Sequence, residues 1–338
     1  MHSVFPWLEP AWEALRQRRH ALPHALLICG PSGLGKTRLA RTFAQALLCE
    51  RPAPGGFPCG TCPACGWFDL GNHPDFRVVE PEALSAPAVA EGEPAAKSGA
   101  APSRQIKVDQ IRELQGFLAV GTHRGGVRII LVRPAEAMNA ATANALLKSL
   151  EEPPPGTLFL LVSSAPDRLL PTVRSRCQRI AVAAAAPEAA LPWLVEQGLR
   201  DPESRLRFAG RAPLAAVEED GEPAAAREAL LAALARPGAD ALELADACQS
   251  AAPDAVVGWL QKWTYDLVAA RTGGAIRYNV RQESAVRAIA RGLPRAALLR
   301  FERSLSAARA VALHPLNARL FVEEICLRYA QLRESPHE

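Results

Sequence analysis

The chain has 338 residues, of which 49% are hydrophobic and 22% charged, and it carries a formal net charge of +4. This length and apolar content favour a soluble globular protein of two or three domains. No segment approaches the run of about eighteen apolar residues that a transmembrane helix needs, and the N-terminus lacks a signal-peptide pattern. We therefore expect a cytoplasmic protein without membrane contact. Arg supplies 34 of the 39 basic residues, which favours a compositional bias over a dedicated nucleic-acid patch but leaves DNA contact open.

The first motif in the chain is a glycine-rich loop. It follows the apolar run 25–29, precedes a helical pattern, and consists of Gly30, Pro31, Ser32, Gly33, Leu34, Gly35, Lys36 and Thr37. This order matches the phosphate-binding loop between a strand and a helix. Its glycines let backbone N–H groups converge on phosphate oxygens, its lysine would neutralise terminal phosphates, and its threonine would ligate Mg²⁺. We predict a site for ATP or ADP with Mg²⁺; a tight turn before a helix is the alternative.

A cysteine cluster follows the helical pattern. Its members are Cys49, Cys59, Cys62 and Cys65. Four thiolates close a tetrahedral Zn²⁺ site and leave no position for a reactive water, so the pattern predicts a structural zinc ion. Reduced, unligated thiols are the alternative. The four other cysteines, in apolar or helical settings, are interpreted as core residues: Cys29, Cys177, Cys248 and Cys326.

Short apolar runs alternate with helical patterns in the first half of the chain and predict a parallel sheet with crossing helices. Strands are predicted over 76–79, 127–132 and 158–163 in addition to 25–29. Residues 82–103 lack periodicity and are interpreted as a mobile surface insertion. Beyond about residue 182 the pattern is helical and is interrupted by prolines. One late helical face favours domain core, with an oligomer interface as the alternative: Ala318, Phe321, Val322, Ile325, Tyr329 and Leu332.

Two further strings complete an ordered combination of motifs. They are NALLKSLEEPP over residues 144–154 and SRC at Ser175, Arg176 and Cys177. With the glycine-rich loop and the cysteine spacing, they resemble the delta-prime family of bacterial clamp-loader subunits, which are non-motor members of the AAA+ superfamily. The segments Pro6-Trp7-Leu8 and His73-Pro74-Asp75-Phe76 are also similar to that family.

The resemblance implies an α/β fold in three domains. These would be an AAA+ P-loop domain over 1–166 with its zinc module at 49–65, a small helical lid over 167–212, and an all-α C-terminal collar for oligomerisation over 213–338. It also implies partners, namely gamma/tau and delta subunits, with the sliding clamp and primed DNA reached through the complex. The implied role is to help load the sliding clamp.

The resemblance further implies that the chain is a poor ATPase. In motor subunits an Asp-Glu pair follows the second buried strand, whereas this chain has Arg133 and Pro134 there. Without that acid, Mg²⁺ loses an anchor and no carboxylate orients the attacking water. Glu136 is three residues displaced and would need a bulge to replace it. The arginine that motor subunits send from the lid would fall near Leu214, although Arg211 is close by.

For Arg176 the resemblance implies a retained role, because the SRC string is complete. In clamp loaders this arginine reaches a neighbouring subunit's ATP, where a guanidinium stabilises charge on the transferred phosphoryl group. The alternative is an arginine that caps a loop or pairs with an acid at the surface. Arg174 and Arg179 are predicted to be solvated or structural.

Three other functions stay open on the sequence alone. A gamma- or tau-like motor ATPase is disfavoured by Arg133-Pro134. A P-loop kinase for small molecules or nucleotides would need neither a partner ring nor a four-cysteine cluster. A non-enzymatic DNA-binding scaffold would show a steep salt dependence of DNA affinity.

Overall fold

A computed structural model describes residues 3–85, 102–123, 126–218, 222–312 and 317–334, with the side chains of 222–223 left aside. The chain divides into two compact units, Met1–Ala185 and Ala186–Glu338. The three-domain division with boundaries after residues 166 and 212 stays a prediction.

The first unit contains a five-stranded sheet within its described residues. Its strands are β1 (Ala25–Cys29), β2 (Phe76–Val79), β3 (Arg128–Val132), β4 (Thr157–Ser163) and β5 (Gln178–Ala181). Their order is β2-β3-β4-β1-β5, and all neighbours are parallel. The predicted parallel sheet is therefore confirmed. Every residue of β1, β3 and β4 is buried, as expected for parallel strands covered on both faces.

Helices flank this sheet. They are α1 (Glu9–Gln17), α2 (Lys36–Leu48), α3 (Pro63–Asp69), α4 (Val108–Ala119), α5 (Ala140–Glu151) and α6 (Pro171–Ser175). The NALLKSLEEPP string forms the end of α5, where Leu146 and Leu150 are buried and Leu147 is half-buried. Because parallel strands end at the same edge of a sheet, the segments after β1, β3 and β4 lie together.

Strand β5 was not predicted from the sequence. Among its four residues only Ile180 is buried. β5 pairs with β1 alone and ends the sheet, so it lacks the continuous apolar run that marks the central strands.

The predicted insertion over 82–103 lies mostly outside the described residues, which omit 86–101. Its two described ends meet: Ala83 N–H donates to the Ser103 carbonyl at 3.0 Å, and Lys107 pairs with Glu82 at 2.5 Å. The chain therefore enters and leaves this segment at one place.

The regular secondary structure described in the second unit is all helical. Its helices are α7 (Pro187–Glu196), α8 (Pro202–Phe208), α9 (Pro213–Glu218), α10 (Glu222–Ala235), α11 (Ala241–Ala247), α12 (Pro253–Arg271), α13 (Glu283–Arg291), α14 (Arg295–Val311) and α15 (Ala318–Glu334). Several prolines that interrupt the helical pattern begin helices, since the first helical position needs no N–H. None of the described helices is long and apolar enough to cross a bilayer.

The predicted apolar face of α15 lies mostly in the core of this unit. Val322, Ile325, Tyr329 and Leu332 are buried, and Tyr329 Oη accepts a hydrogen bond from Trp263 Nε1 at 2.9 Å. Most of that face is therefore occupied within the chain.

Candidate functional site

The glycine-rich loop joins β1 to α2, and its backbone conformation requires glycine at two positions. Gly33 and Gly35 have φ values of 74° and 84°, in the left-handed region that L side chains rarely adopt. Gly35 is the N-cap of α2, so the left-handed turn leads directly into the helix whose first residue is Lys36. Thr37 follows in the first helical turn. Six of the eight predicted loop residues therefore lie between β1 and α2, and Lys36 and Thr37 begin the helix.

Gly30 is required for a different reason, which is close approach to the chain after β5. A Cβ atom at this position would lie 2.2 Å from the Val182 carbonyl oxygen. Gly30 N–H also donates to the Ser163 carbonyl at 3.3 Å. The start of the loop is thus enclosed by the ends of two neighbouring strands.

Trp7 supports the loop from the N-terminal segment. Its Nε1 donates to the Leu34 carbonyl at 3.0 Å, and both residues are buried. The sequence analysis gave Trp7 no role at the loop. The only signal was its position in Pro6-Trp7-Leu8, because a contact across 27 residues leaves no periodic trace.

Lys36 is held inside the loop. Its Nζ donates to the Pro31 carbonyl at 2.5 Å and to Ser164 Oγ at 2.9 Å, and only 5% of the residue is exposed. Burial lowers the pKa of Lys36, and the nearby Glu136 carboxylate opposes that shift. The cation is therefore placed, with hydrogen bonds, at the carboxyl edge of the sheet.

Glu136 is joined to this lysine through Ser164. Glu136 Oε1 accepts a hydrogen bond from the Ser164 N–H at 2.9 Å, and Ser164 Oγ accepts one from Lys36 Nζ. Glu136 Oε2 is buried and has no hydrogen-bond partner among the described residues. Ser164, just after β4, was not identified from the sequence, because its position follows from strand order.

Arg133 directly follows β3, as predicted. Its guanidinium pairs with Glu80 Oε2 at 2.5 Å, and the two side chains are 28% and 14% exposed. The Arg133-Pro134 peptide bond is cis. The end of β3 therefore presents a cation paired with the acid after β2.

The four cysteines of the predicted metal site meet in one cluster. Cys49 follows the last residue of α2, and Cys62 is the N-cap of α3, where its sulfur accepts the Cys65 N–H. The Cys49–Cys62 and Cys59–Cys65 sulfur distances are 3.9 and 4.0 Å. All four sulfurs lie within 4.8 Å of one another. Tetrahedral zinc with Zn–S bonds of about 2.3 Å needs sulfurs about 3.8 Å apart.

The surroundings of the sulfurs also fit a metal. Backbone N–H groups of Cys59 and Cys62 point at the sulfurs of Cys49 and Cys59, at 3.3 and 3.4 Å. The backbone N–H of Thr61 is the main cause that lowers the pKa of Cys59 to about 6, which favours the thiolate that a metal binds. Burial raises the pKa of Cys49 and of Cys65, which opposes that ionisation. This cluster can hold a metal ion such as zinc.

Arg176 lies at the C-terminal end of α6. One terminal nitrogen, Nη2, pairs with Glu151 Oε1 at 2.5 Å, and the other, Nη1, donates to the Thr172 carbonyl at 2.9 Å. The Arg176 side chain is 34% exposed. The SRC string thus meets the end of the NALLKSLEEPP helix. Of the neighbouring arginines, Arg174 pairs with Asp167 at 3.1 Å and Arg179 Nε donates to Cys29 Sγ at 3.0 Å.

Comparison with known proteins agrees with this arrangement. The family model for the DNA polymerase III delta subunit matches residues 11–186, and the model for its C-terminal part matches residues 222–331. The DNA polymerase III subunit delta' of Escherichia coli is 33% identical over 82% of this chain and 79% of its own length. The chain belongs to the DNA polymerase III delta-prime family.

Other relatives of this delta-prime family member match shorter segments. Subunit delta' of Pseudomonas aeruginosa is 41% identical over 66% of this chain and 63% of its own length. Subunit tau of Bacillus subtilis is 33% identical over 49% of this chain and 25% of its own length. The matched segment therefore spans less than two thirds of the Pseudomonas relative.

Proposed function

We propose that this delta-prime family member is a stator-like subunit of the DNA polymerase III clamp loader. It would assemble with gamma or tau and delta subunits and help place the sliding clamp on primed DNA. Family membership supports the clamp-loader assignment. The stator role rests on the position directly after β3, where a motor subunit needs an acid. In this chain Arg133 occupies that position and pairs with Glu80. Arg133 supplies no carboxylate to anchor Mg²⁺ and cannot orient a water for phosphoryl transfer.

The glycine-rich loop would still bind ATP or ADP with Mg²⁺. Backbone N–H groups of the loop, with Lys36 and the Thr37 hydroxyl, are the groups that hold a phosphate chain and its metal. Nucleotide binding and nucleotide hydrolysis need different residues, so the chain would bind a nucleotide without hydrolysing it.

Arg176 would act on a neighbour's nucleotide. Its side chain is partly exposed and its guanidinium is held by contacts to Glu151 and Thr172, so a fixed guanidinium can face another subunit. A guanidinium at a neighbour's terminal phosphate would stabilise the transition state of hydrolysis.

The assembled complex tests this proposal. Arg176→Ala should leave assembly intact and lower DNA-stimulated ATP turnover at the adjacent site by about 10³-fold, the lower end of the range for arginine fingers. Arg174→Ala is the matched control, since Arg174 is paired with Asp167. Unchanged turnover in the Arg176→Ala complex would contradict the assignment.

The four-cysteine cluster would hold a structural zinc ion. Metal analysis of the purified chain should return about one zinc per molecule, because four sulfurs complete the coordination. Cys62→Ser should lose the metal, whereas Cys177→Ser should keep it, since Cys177 lies outside the cluster. Purified chain without zinc, together with normal folding of Cys62→Ser, would rule the site out.

A motor ATPase is the second candidate function, and the Lys36–Ser164–Glu136 contacts favour it. They bring one carboxylate close to the loop lysine. ATP turnover by the isolated chain distinguishes the two functions. Turnover like that of a motor subunit, abolished by Lys36→Ala, would replace the stator proposal.

A further inference from the structure

We propose that Glu151 is a positioning residue for Arg176: it fixes the guanidinium so that the remaining N–H groups can meet a phosphate on a neighbouring subunit. This inference rests on the proposed function of Arg176 and adds a second residue to it. Glu151 is the last residue of α5, and Arg176 is the residue that follows α6.

Two contacts hold the guanidinium at both terminal nitrogens. Nη2 pairs with Glu151 Oε1 at 2.5 Å, and Nη1 donates to the Thr172 carbonyl at 2.9 Å. One anchor comes from α5 and the other from α6, so rotation about the last side-chain bonds would break at least one of them. A guanidinium fixed in this way loses less freedom when it meets a ligand.

The contacts leave donors for a ligand. A guanidinium has five N–H groups. The two N–H groups of Nη1 are used by the Thr172 carbonyl and by a longer approach to Ser175 Oγ at 3.5 Å. Glu151 forms an ion pair with Nη2, and the N–H groups of Nε and Nη2 make no hydrogen bond among the described residues. Two N–H groups on one planar fork are what bidentate recognition of phosphate oxygens requires.

The exposure of both side chains indicates that the Arg176–Glu151 pair orients the guanidinium more than it stabilises the fold. The side chains of Arg176 and Glu151 are 34% and 48% exposed. Ion pairs this open to solvent are screened and contribute little to stability. Loss of Glu151 should therefore disturb the direction of the guanidinium without unfolding the unit.

Glu152 provides a matched control one residue away. It carries the same charge and is exposed, but it caps the end of α5 through its backbone N–H, which donates to the Lys148 carbonyl. Within the described part of the chain its carboxylate has no ion-pair partner. Glu152→Ala removes the same charge without touching Arg176.

The experiment measures DNA-stimulated ATP turnover in complexes assembled with equal subunit content. Glu151→Ala should lower kcat at the adjacent site by about 10-fold and leave KM for ATP unchanged, because misplacement of a catalytic group by less than an ångström has costs of this order. Glu151→Gln keeps an acceptor oxygen and should restore most of the rate. Glu152→Ala should match the unsubstituted complex.

A double substitution separates positioning from a general structural effect. In the Arg176→Ala complex, adding Glu151→Ala should cause no further loss, since the residue acts only through the arginine. A further 10-fold loss, or an unaffected or faster Glu151→Ala complex, would overturn the inference while Arg176 keeps its role. An unaffected Arg176→Ala complex would instead overturn the proposed function and this inference with it.

Discussion

The glycine-rich loop and the Arg176 segment both present a cation, but they hold it in different ways. At the loop, Lys36 is 5% exposed and is surrounded by glycines, a tryptophan contact and the ends of β4 and β5. At the other site, Arg176 is 34% exposed and is held by one carboxylate and one carbonyl. The Lys36 side chain is packed inside the first unit, whereas the Arg176 side chain is partly exposed at the surface of that unit.

The pairs Arg133–Glu80 and Arg176–Glu151 show the same contrast. Arg133 and Glu80 are mostly enclosed, and Arg176 and Glu151 are open to solvent. An enclosed pair is costly to break, because it leaves a charge without water or a partner. The comparison therefore predicts that substitutions at the loop affect folding and ligand binding, and that substitutions at Arg176 affect only the assembled complex.

Among substitutions in the isolated chain, the largest effect is expected at Gly30. Gly30→Ala should lower the free energy of unfolding by about 3 kcal/mol, because the new Cβ would overlap the Val182 carbonyl oxygen, a backbone atom that cannot move aside cheaply. Urea denaturation measures it. Gly116→Ala is the control: the site is exposed in α4, a Cβ there meets nothing within 4 Å, and the change should be neutral or stabilise by up to about 1 kcal/mol. Equal changes in the free energy of unfolding for Gly30→Ala and Gly116→Ala would mean that the start of the loop is not enclosed.

A smaller effect is expected for nucleotide binding at Lys36. Lys36→Ala should weaken ATP binding by about 2 kcal/mol, or roughly 30-fold, since a charged hydrogen bond to phosphate is lost. Calorimetric titration of the isolated chain measures the affinity, and Lys148→Ala on the exposed face of α5 is the control. Equal ATP affinity in the Lys36→Ala chain would show that the loop is not the nucleotide site.

The smallest effect is expected for stability at Arg176. Arg176→Ala in the isolated chain should change the free energy of unfolding by less than about 0.5 kcal/mol, because the broken ion pair is exposed. The same denaturation series gives this value. A loss comparable to that of Gly30→Ala would remove the distinction between the two regions and make Arg176 a structural residue.

Much of the first unit was predictable because its signals are local. β1, β3 and β4 are continuous apolar runs, and the loop and the cysteine spacing are patterns within short segments. The unpredicted parts depend on contacts between distant segments. Ser164 reaches Lys36 across 128 residues. Glu151 and Arg176 belong to different strings, each recognised separately, and neither spacing nor periodicity predicts their pairing.

The packing of Gly30 against Val182 links the two regions mechanically. No methyl group fits between the first loop residue and the Val182 carbonyl, so neither segment can move closer to the other. β5 is a strand of four residues, and it begins two positions after Arg176. One short stretch of backbone, paired with β1, therefore connects the surroundings of the glycine-rich loop to the Arg176 segment.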